Sequence, residues 1–190
     1  MRPVCGKRCG TVMLVARADI GASAGTSAIT PGFGSFLYYQ PDDLRVARST
    51  DASWRFYGLA HEYGHHLDVT MAQAPATHPW SREMRADALA GCAFALARVP
   101  LDDFADALGD AVHEDPLDVR RRKEACGLDE DHPSLDFTRD ALREGAKACA
   151  DGPVSQLELA YLADQITASA ARLSEQRLRE APMECGVGAH

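Results

Sequence analysis

The chain has 190 residues and a formal net charge of −8 at pH 7, with 46% hydrophobic and 7% aromatic residues. Its length favours a single domain, residues 1–190, large enough to bury about 70% of the surface of the unfolded chain. The negative charge argues against a nucleic-acid partner, because it leaves phosphate repulsion uncompensated. The sequence has no apolar run of the roughly 20 residues that cross a membrane, so we expect no integral membrane span.

The first apolar segment, residues 11–16, follows several basic residues. It is shorter than the apolar region of a usual signal peptide and is followed at once by Arg17 and Asp19, so we interpret it as a strand. The expected location is therefore the cytoplasm for the chain as written. It is extracytoplasmic if the N-terminus is processed or incomplete.

The next segments predict a loop and then a hairpin. Residues 18–34 are rich in Gly, Ala, Ser and Thr, which favours a loop. Residues 36–40 and 44–48 read as two strands joined by a turn at Pro41. The remaining pattern is helical, so the predicted fold is α+β and mainly helical, with a small antiparallel sheet packed on the first helix. Helices are expected at residues 53–72, 82–97, 101–113, 117–126, 135–149 and 154–179.

The first of these helices contains the most informative motif of the chain. Residues 61–65 read His-Glu-Tyr-Gly-His, an H-E-x-x-H sequence. On a helix with 3.6 residues per turn, His61 and His65 share one face, about 6 Å apart along the axis. Two such imidazoles can bind one divalent ion, and Glu62 beside them can reach a water molecule on that ion. The motif predicts a zinc hydrolase with Zn²⁺ as its cofactor.

A catalytic zinc site takes three protein ligands and keeps a fourth position open. The helix that starts at Ser81 carries Glu83 and Asp87 four residues apart, hence on one face. Glu83 is the expected third ligand. Asp87 is expected to accept the free N–H of a zinc-bound imidazole and so fix its tautomer. The metzincin pattern is excluded, since it needs glycine and histidine where this chain has Asp68 and Met71.

The H-E-x-x-H helix and the E-x-x-A-D sequence of residues 83–87 together resemble the gluzincin metallopeptidases. The resemblance is closest to the bacterial neutral zinc metallopeptidases and more distant to the HtpX-like membrane peptidases. Residues 34–46 are similar to the strand pair before the zinc helix of that family, and residues 131–149 to its H-x-S…R…G…C segment. This resemblance implies a zincin-like metallopeptidase domain with a catalytic core at about 30–150. The C-terminal helix at about 154–179 is predicted from its amphipathic apolar stripe.

The chain departs from that family in its cysteines and in its flanking regions. The family often has Cys-Pro where this chain has Gln40-Pro41, so one disulfide expected from the resemblance is missing. Relatives also usually carry more chain before this region, with a membrane anchor or an export signal. Among the six cysteines, Cys126 and Cys149 flank the His132-Pro133 segment. They are the pair expected to bond if the protein is oxidised, while Cys92 is expected to be a small buried apolar residue.

The predicted reaction is hydrolysis of peptide bonds, with a peptide or protein as substrate. Glu62 would act as general base on the zinc-activated water and then pass the proton to the leaving amine. The developing oxyanion needs one more donor. His132 is the candidate for this catalytic role, with Tyr39 or Tyr63 as alternatives.

Two further functions remain open at this point. The same zinc site could hydrolyse an amide bond in one dedicated small substrate of a pathway. Alternatively, the chain could be a non-catalytic binding protein that retains the metal, although a purely structural site has no need of the base Glu62.

Overall fold

The computed structural model describes residues 12–16, 27–30, 34–39, 49–71, 78–102, 104–106, 133 and 135–180. Within these ranges, strands come first along the chain and long helices follow. None of the described helices is both long enough and apolar enough to cross a membrane. The elements are β1 (Val12–Ala16), β2 (Ser27–Thr30), β3 (Gly34–Tyr39), α1 (Ser49–Met71), α2 (Ser81–Ala97), α3 (Leu135–Ala148) and α4 (Gln156–Glu180).

The three strands form a mixed sheet in the order β1-β3-β2. β1 runs parallel to β3, with Val12 opposite Ser35, and β2 runs antiparallel to β3, with Ser27 opposite Leu37. The prediction of a small antiparallel sheet is therefore wrong, because β1 pairs with β3 in parallel, although β2 and β3 both contact α1. In the helical part of the chain, the buried hydrophobic residues extend from Ala60 to Ala170.

A second difference from the prediction lies in the segment before β3. Residues 18–34 were expected to form a loop, yet they contain β2, which is the antiparallel neighbour of β3. The β-branched Ile29 and Thr30 favour a strand despite the small polar residues around them. The predicted second hairpin strand, residues 44–48, lies outside the described residues, as does the predicted helix at 117–126.

The central element of the described helical part is α2, which contacts α1, α3 and α4. Its small side chains allow close approach of its neighbours, most of all α3. A Cβ at Gly91 would lie 2.7 Å from the carbonyl carbon of Leu142, and a Cβ at Gly145 would lie 2.7 Å from that of Ala88. The α2 residues that are buried are Ser81, Met84, Arg85, Ala86, Asp87, Ala88, Leu89, Ala90, Gly91, Cys92, Ala93 and Phe94.

Helices α2 and α3 run in the same direction, and a disulfide links α2, near its C-terminal end, to the residue that follows α3. At the starts of the two helices, the ring centroids of Trp80 and Phe137 are 6.2 Å apart. These two residues are separated by 57 positions in the sequence (137 − 80). Cys92 and Cys149 are bonded at the same separation of 57, with their Cα atoms 5.1 Å apart. The predicted Cys126–Cys149 pair is therefore wrong, because the register of two packed helices, rather than nearness along the chain, decides the partner of Cys149.

A buried arginine holds α2 against two other helices. The guanidinium of Arg85 donates to both carboxylate oxygens of Asp164 in α4, at 3.1 and 2.7 Å, and to Asp68 in α1 at 3.2 Å. Burial opposes the charge of Arg85, but the two carboxylates outweigh it and raise its pKa. The bidentate pair with Asp164 is directional and restricts the rotation of α2 about its own axis relative to α4, and the hydrogen bond to Asp68 links the same side chain to α1. That rotation decides which α2 side chains face the H-E-x-x-H residues.

Candidate metal centre

The candidate site lies where α1 and α2 cross in opposite directions. Gly64 of α1 meets Ala86 of α2 so closely that a Cβ on the glycine would be 2.7 Å from the alanine Cα. Gly64 is flanked by the two motif histidines along α1, and Ala86 is flanked by Glu83 and Asp87 along α2. The close crossing therefore brings the two predicted sets of site residues face to face.

Three of the predicted side chains converge on one point. The Nε2 atoms of His61 and His65 are 3.0 Å apart. Glu83 places Oε2 at 3.3 Å from Nε2 of His61, and Oε1 at 3.3 Å from Nε2 of His65. One ligand atom from each residue lies within 4.8 Å of the other two, so a single ion could contact all three.

These distances fit a tetrahedral zinc ion. Two ligand atoms at 2.0–2.1 Å from zinc, separated by a tetrahedral angle, are roughly 3.3–3.4 Å apart. The observed separations of 3.0 and 3.3 Å differ from that by at most a few tenths of an ångström. The set of two imidazoles and one carboxylate also matches catalytic zinc sites in its chemistry, although a metal of similar preference would fit as well.

The three side chains that could hold the ion are partly exposed. The relative solvent exposures of the side chains of His61, His65 and Glu83 are 14%, 20% and 19%. A structural zinc site is closed by a fourth protein ligand, whereas a catalytic site keeps one position accessible. Three converging ligands with residual exposure are the arrangement that leaves room for water or a substrate.

Behind the site lies the carboxylate of Asp87, which is only 1% exposed. Its Oδ1 is 2.8 Å from Nδ1 of His61 and 2.8 Å from the hydroxyl of Tyr57. An ionised carboxylate only accepts hydrogen bonds, so Nδ1 of His61 donates, and in the neutral imidazole that binds a metal the lone pair is then on Nε2. That lone pair is on the side of His65 and Glu83, where a metal ligand needs it.

The electrostatics of the site favour a positive charge between the helices. Burial alone would lower the pKa of His61, but the carboxylates of Asp87 and Glu83 outweigh it and raise that pKa to about 10. Burial would raise the pKa of Glu83, yet its hydrogen bonds with His61 and His65 hold it well below its usual range. The field that stabilises a proton on His61 also attracts a divalent cation to the same place.

The other residues singled out in the sequence occupy different surroundings. Glu62 is partly buried, next to His61 in α1. Tyr63 packs instead against the apolar cluster that contains Leu67 and Leu89, with its ring 5.4 Å from that of His66. His132, the candidate oxyanion donor, lies outside the described residues, and so does the side chain of Tyr39.

Tyr57 is a residue of the site that was not predicted from the sequence. Its hydroxyl donates a hydrogen bond to Asp87. The available signal was spacing, because Tyr57 precedes His61 by four residues, as His61 precedes His65. Spacing places Tyr57 on the ligand face, but only the crossing with α2 supplies its partner.

The crossing at Gly64 leads to a testable prediction. Gly64→Ala should separate α1 from α2, because its Cβ would meet backbone atoms of Ala86. Overpacking of this kind costs about 1–3 kcal/mol of unfolding free energy, and it should also weaken zinc binding by moving Glu83 away from the histidines. Chemical denaturation and a chelator-competition titration measure the two effects. Unchanged zinc affinity would show that the crossing does not set the ligand geometry.

The chain was compared with protein-family models, curated proteins and solved structures. No protein-family model, curated protein or solved structure matches the chain. The resemblance of the two motifs to zinc metallopeptidases therefore stays a prediction, and the site has to be judged on its own geometry.

Proposed function

We propose that this chain is a zinc-dependent metallopeptidase. The observation that carries the proposal is the convergence of His61, His65 and Glu83 at 3.0–3.3 Å, with Asp87 behind His61. Two histidines one turn apart and a carboxylate from a neighbouring helix form the ligand set of a hydrolytic zinc site. The resemblance of the same motifs to the bacterial neutral zinc metallopeptidases favours peptide bonds as the substrate.

A zinc ion at this position would supply a Lewis acid for the scissile carbonyl and lower the pKa of bound water to about 7. The chain itself supplies the base. Glu62 follows His61 directly on α1 and is partly buried. In the proposed reaction Glu62 takes a proton from the attacking water and gives it to the leaving amine, which ends the cycle with Glu62 ionised again.

Replacement of the base tests this function. Glu62→Gln should keep one zinc ion per chain, because Glu62 is not a ligand, and should lose about 10²–10⁴-fold in hydrolysis rate, the usual contribution of a general base. The measurement is cleavage of an unfolded protein and of a mixture of unrelated peptides by the zinc-loaded chain. Glu144→Gln is the matched control, since that carboxylate lies on α3 with 44% exposure.

Each outcome of this assay assigns a function. Peptide cleavage that depends on Glu62 establishes the metallopeptidase. Wild-type rates in Glu62→Gln would exclude the proposed mechanism. A zinc-loaded wild-type chain that cleaves only small amides indicates the dedicated amide hydrolase, and one that binds zinc without hydrolysing peptides or amides indicates the binding protein.

A further inference from the structure

We propose that Tyr57 is a positioning residue of the metal centre: its hydroxyl holds Asp87 so that His61 presents Nε2 to the ion. This inference rests on the zinc site proposed above and adds a residue that the H-E-x-x-H motif does not include. It assigns to Tyr57 no contact with the substrate or the metal. Its effect passes through Asp87 to one ligand.

The geometry that carries the inference is a shared acceptor. Oδ1 of Asp87 lies 2.8 Å from the Tyr57 hydroxyl and 2.8 Å from Nδ1 of His61. Asp87 is 1% exposed, so water cannot replace a missing donor easily. The two hydrogen bonds converge on a single oxygen and thereby restrict the carboxylate to one orientation.

The Tyr57 hydroxyl is itself held in place by packing. The Tyr57 ring lies 5.3 Å from the ring of Phe104 and 5.4 Å from that of His61. A phenol keeps its proton at neutral pH, so the Tyr57 hydroxyl is a donor to Asp87. The Tyr57 hydroxyl thus donates one fixed hydrogen bond to Oδ1 of Asp87, and the imidazole of His61 donates the second.

The inference explains why tyrosine rather than phenylalanine occupies this position. Phenylalanine would fill the same space beside Phe104, but it would leave Asp87 with one fewer donor. An outer partner of a metal ligand orients that ligand, and its loss typically costs 10–100-fold in metal affinity. Since Tyr57 acts on His61 only through Asp87, the lower end of that range is the expected effect.

The test is zinc affinity, measured by chelator competition at constant pH on the full chain. Tyr57→Phe should bind zinc about 10-fold more weakly than the wild type. Tyr161→Phe removes the same hydroxyl from an exposed position of α4, with 66% exposure, and should leave the affinity unchanged. Circular dichroism of each variant confirms that the helices are retained.

A second variant separates positioning from stability. Phe104→Leu loosens the ring packing around Tyr57 but keeps its hydroxyl, so it should lower the unfolding free energy with little effect on zinc affinity. The inference is overturned if Tyr57→Phe binds zinc as the wild type does, if Phe104→Leu weakens zinc equally, or if Tyr57→Phe loses its helical signal. If the wild type itself binds no zinc, the metal centre fails as well, and that failure is visible without any Tyr57 variant.

Discussion

Glu83→Ala should lose zinc binding almost completely while the chain stays folded. Two imidazoles remain after this change, but the site loses its third ligand and its negative charge together. The loss in affinity should therefore exceed the 10–100-fold that follows from removing an outer partner of a ligand. Elemental analysis of the purified protein gives the zinc content, for which about one ion per wild-type chain is expected, and chelator competition gives the affinity.

The matched control for Glu83 is Glu144→Ala, which removes a half-exposed carboxylate from α3. It should retain wild-type zinc content. A second readout is thermal stability, because a ligand at 100 times its Kd stabilises the folded state by about 2.7 kcal/mol. Chelation should therefore lower the Tm of the wild type and of Glu144→Ala, but not that of Glu83→Ala. Equal zinc binding by Glu83→Ala and the wild type would remove this residue from the site.

Gly145→Ala should destabilise the fold by about 3 kcal/mol or more, the upper end of the cost of overpacking. A Cβ at this position would overlap the carbonyl group of Ala88 and lie 2.8 Å from its Cα. These are backbone atoms of α2, so a change of rotamer cannot relieve the contact. The helices α2 and α3 must move apart, and the core between them then loosens. Urea denaturation followed by circular dichroism measures the loss.

The sign of this effect is informative, because helix propensity predicts the opposite. In an isolated helix, alanine is more favourable than glycine by about 1 kcal/mol. Lys147→Ala is the control on the same helix, at a side chain with 77% exposure, and should change stability by no more than about 0.5 kcal/mol. A stabilised Gly145→Ala would show that α2 and α3 are not in close contact in solution.

The sequence predicted the parts of the site that depend on local geometry. The spacing of His61 and His65 and that of Glu83 and Asp87 each define one face of a helix, because helical periodicity relates residues four apart. The bounds of α2, α3 and α4 lie within two residues of those expected from apolar periodicity. These features need no knowledge of how the helices pack.

The parts that were not predicted depend on contacts between distant segments. Tyr57 acquires its role only where α1 meets Asp87, across 30 residues of sequence. The partner of Cys149 is set by the register of α2 and α3, and β2 gains its identity from pairing with β3. The pattern of residues within a single segment does not contain that information. The sequence therefore predicts Cys126 as the partner of Cys149, and a loop at residues 18–34 in place of β2.

The link between Cys92 and Cys149 also changes the unfolded chain. Closing a loop between two cysteines that are separated by 57 positions removes about 4 kcal/mol of chain entropy from the denatured ensemble. After oxidation, α2 and α3 can no longer diffuse far apart, so their docking becomes a short-range search. The residues between them can then vary in length at little cost, since loop-closure entropy grows only slowly with chain length. The metal-binding face of α2 is thus insulated from changes in that connection.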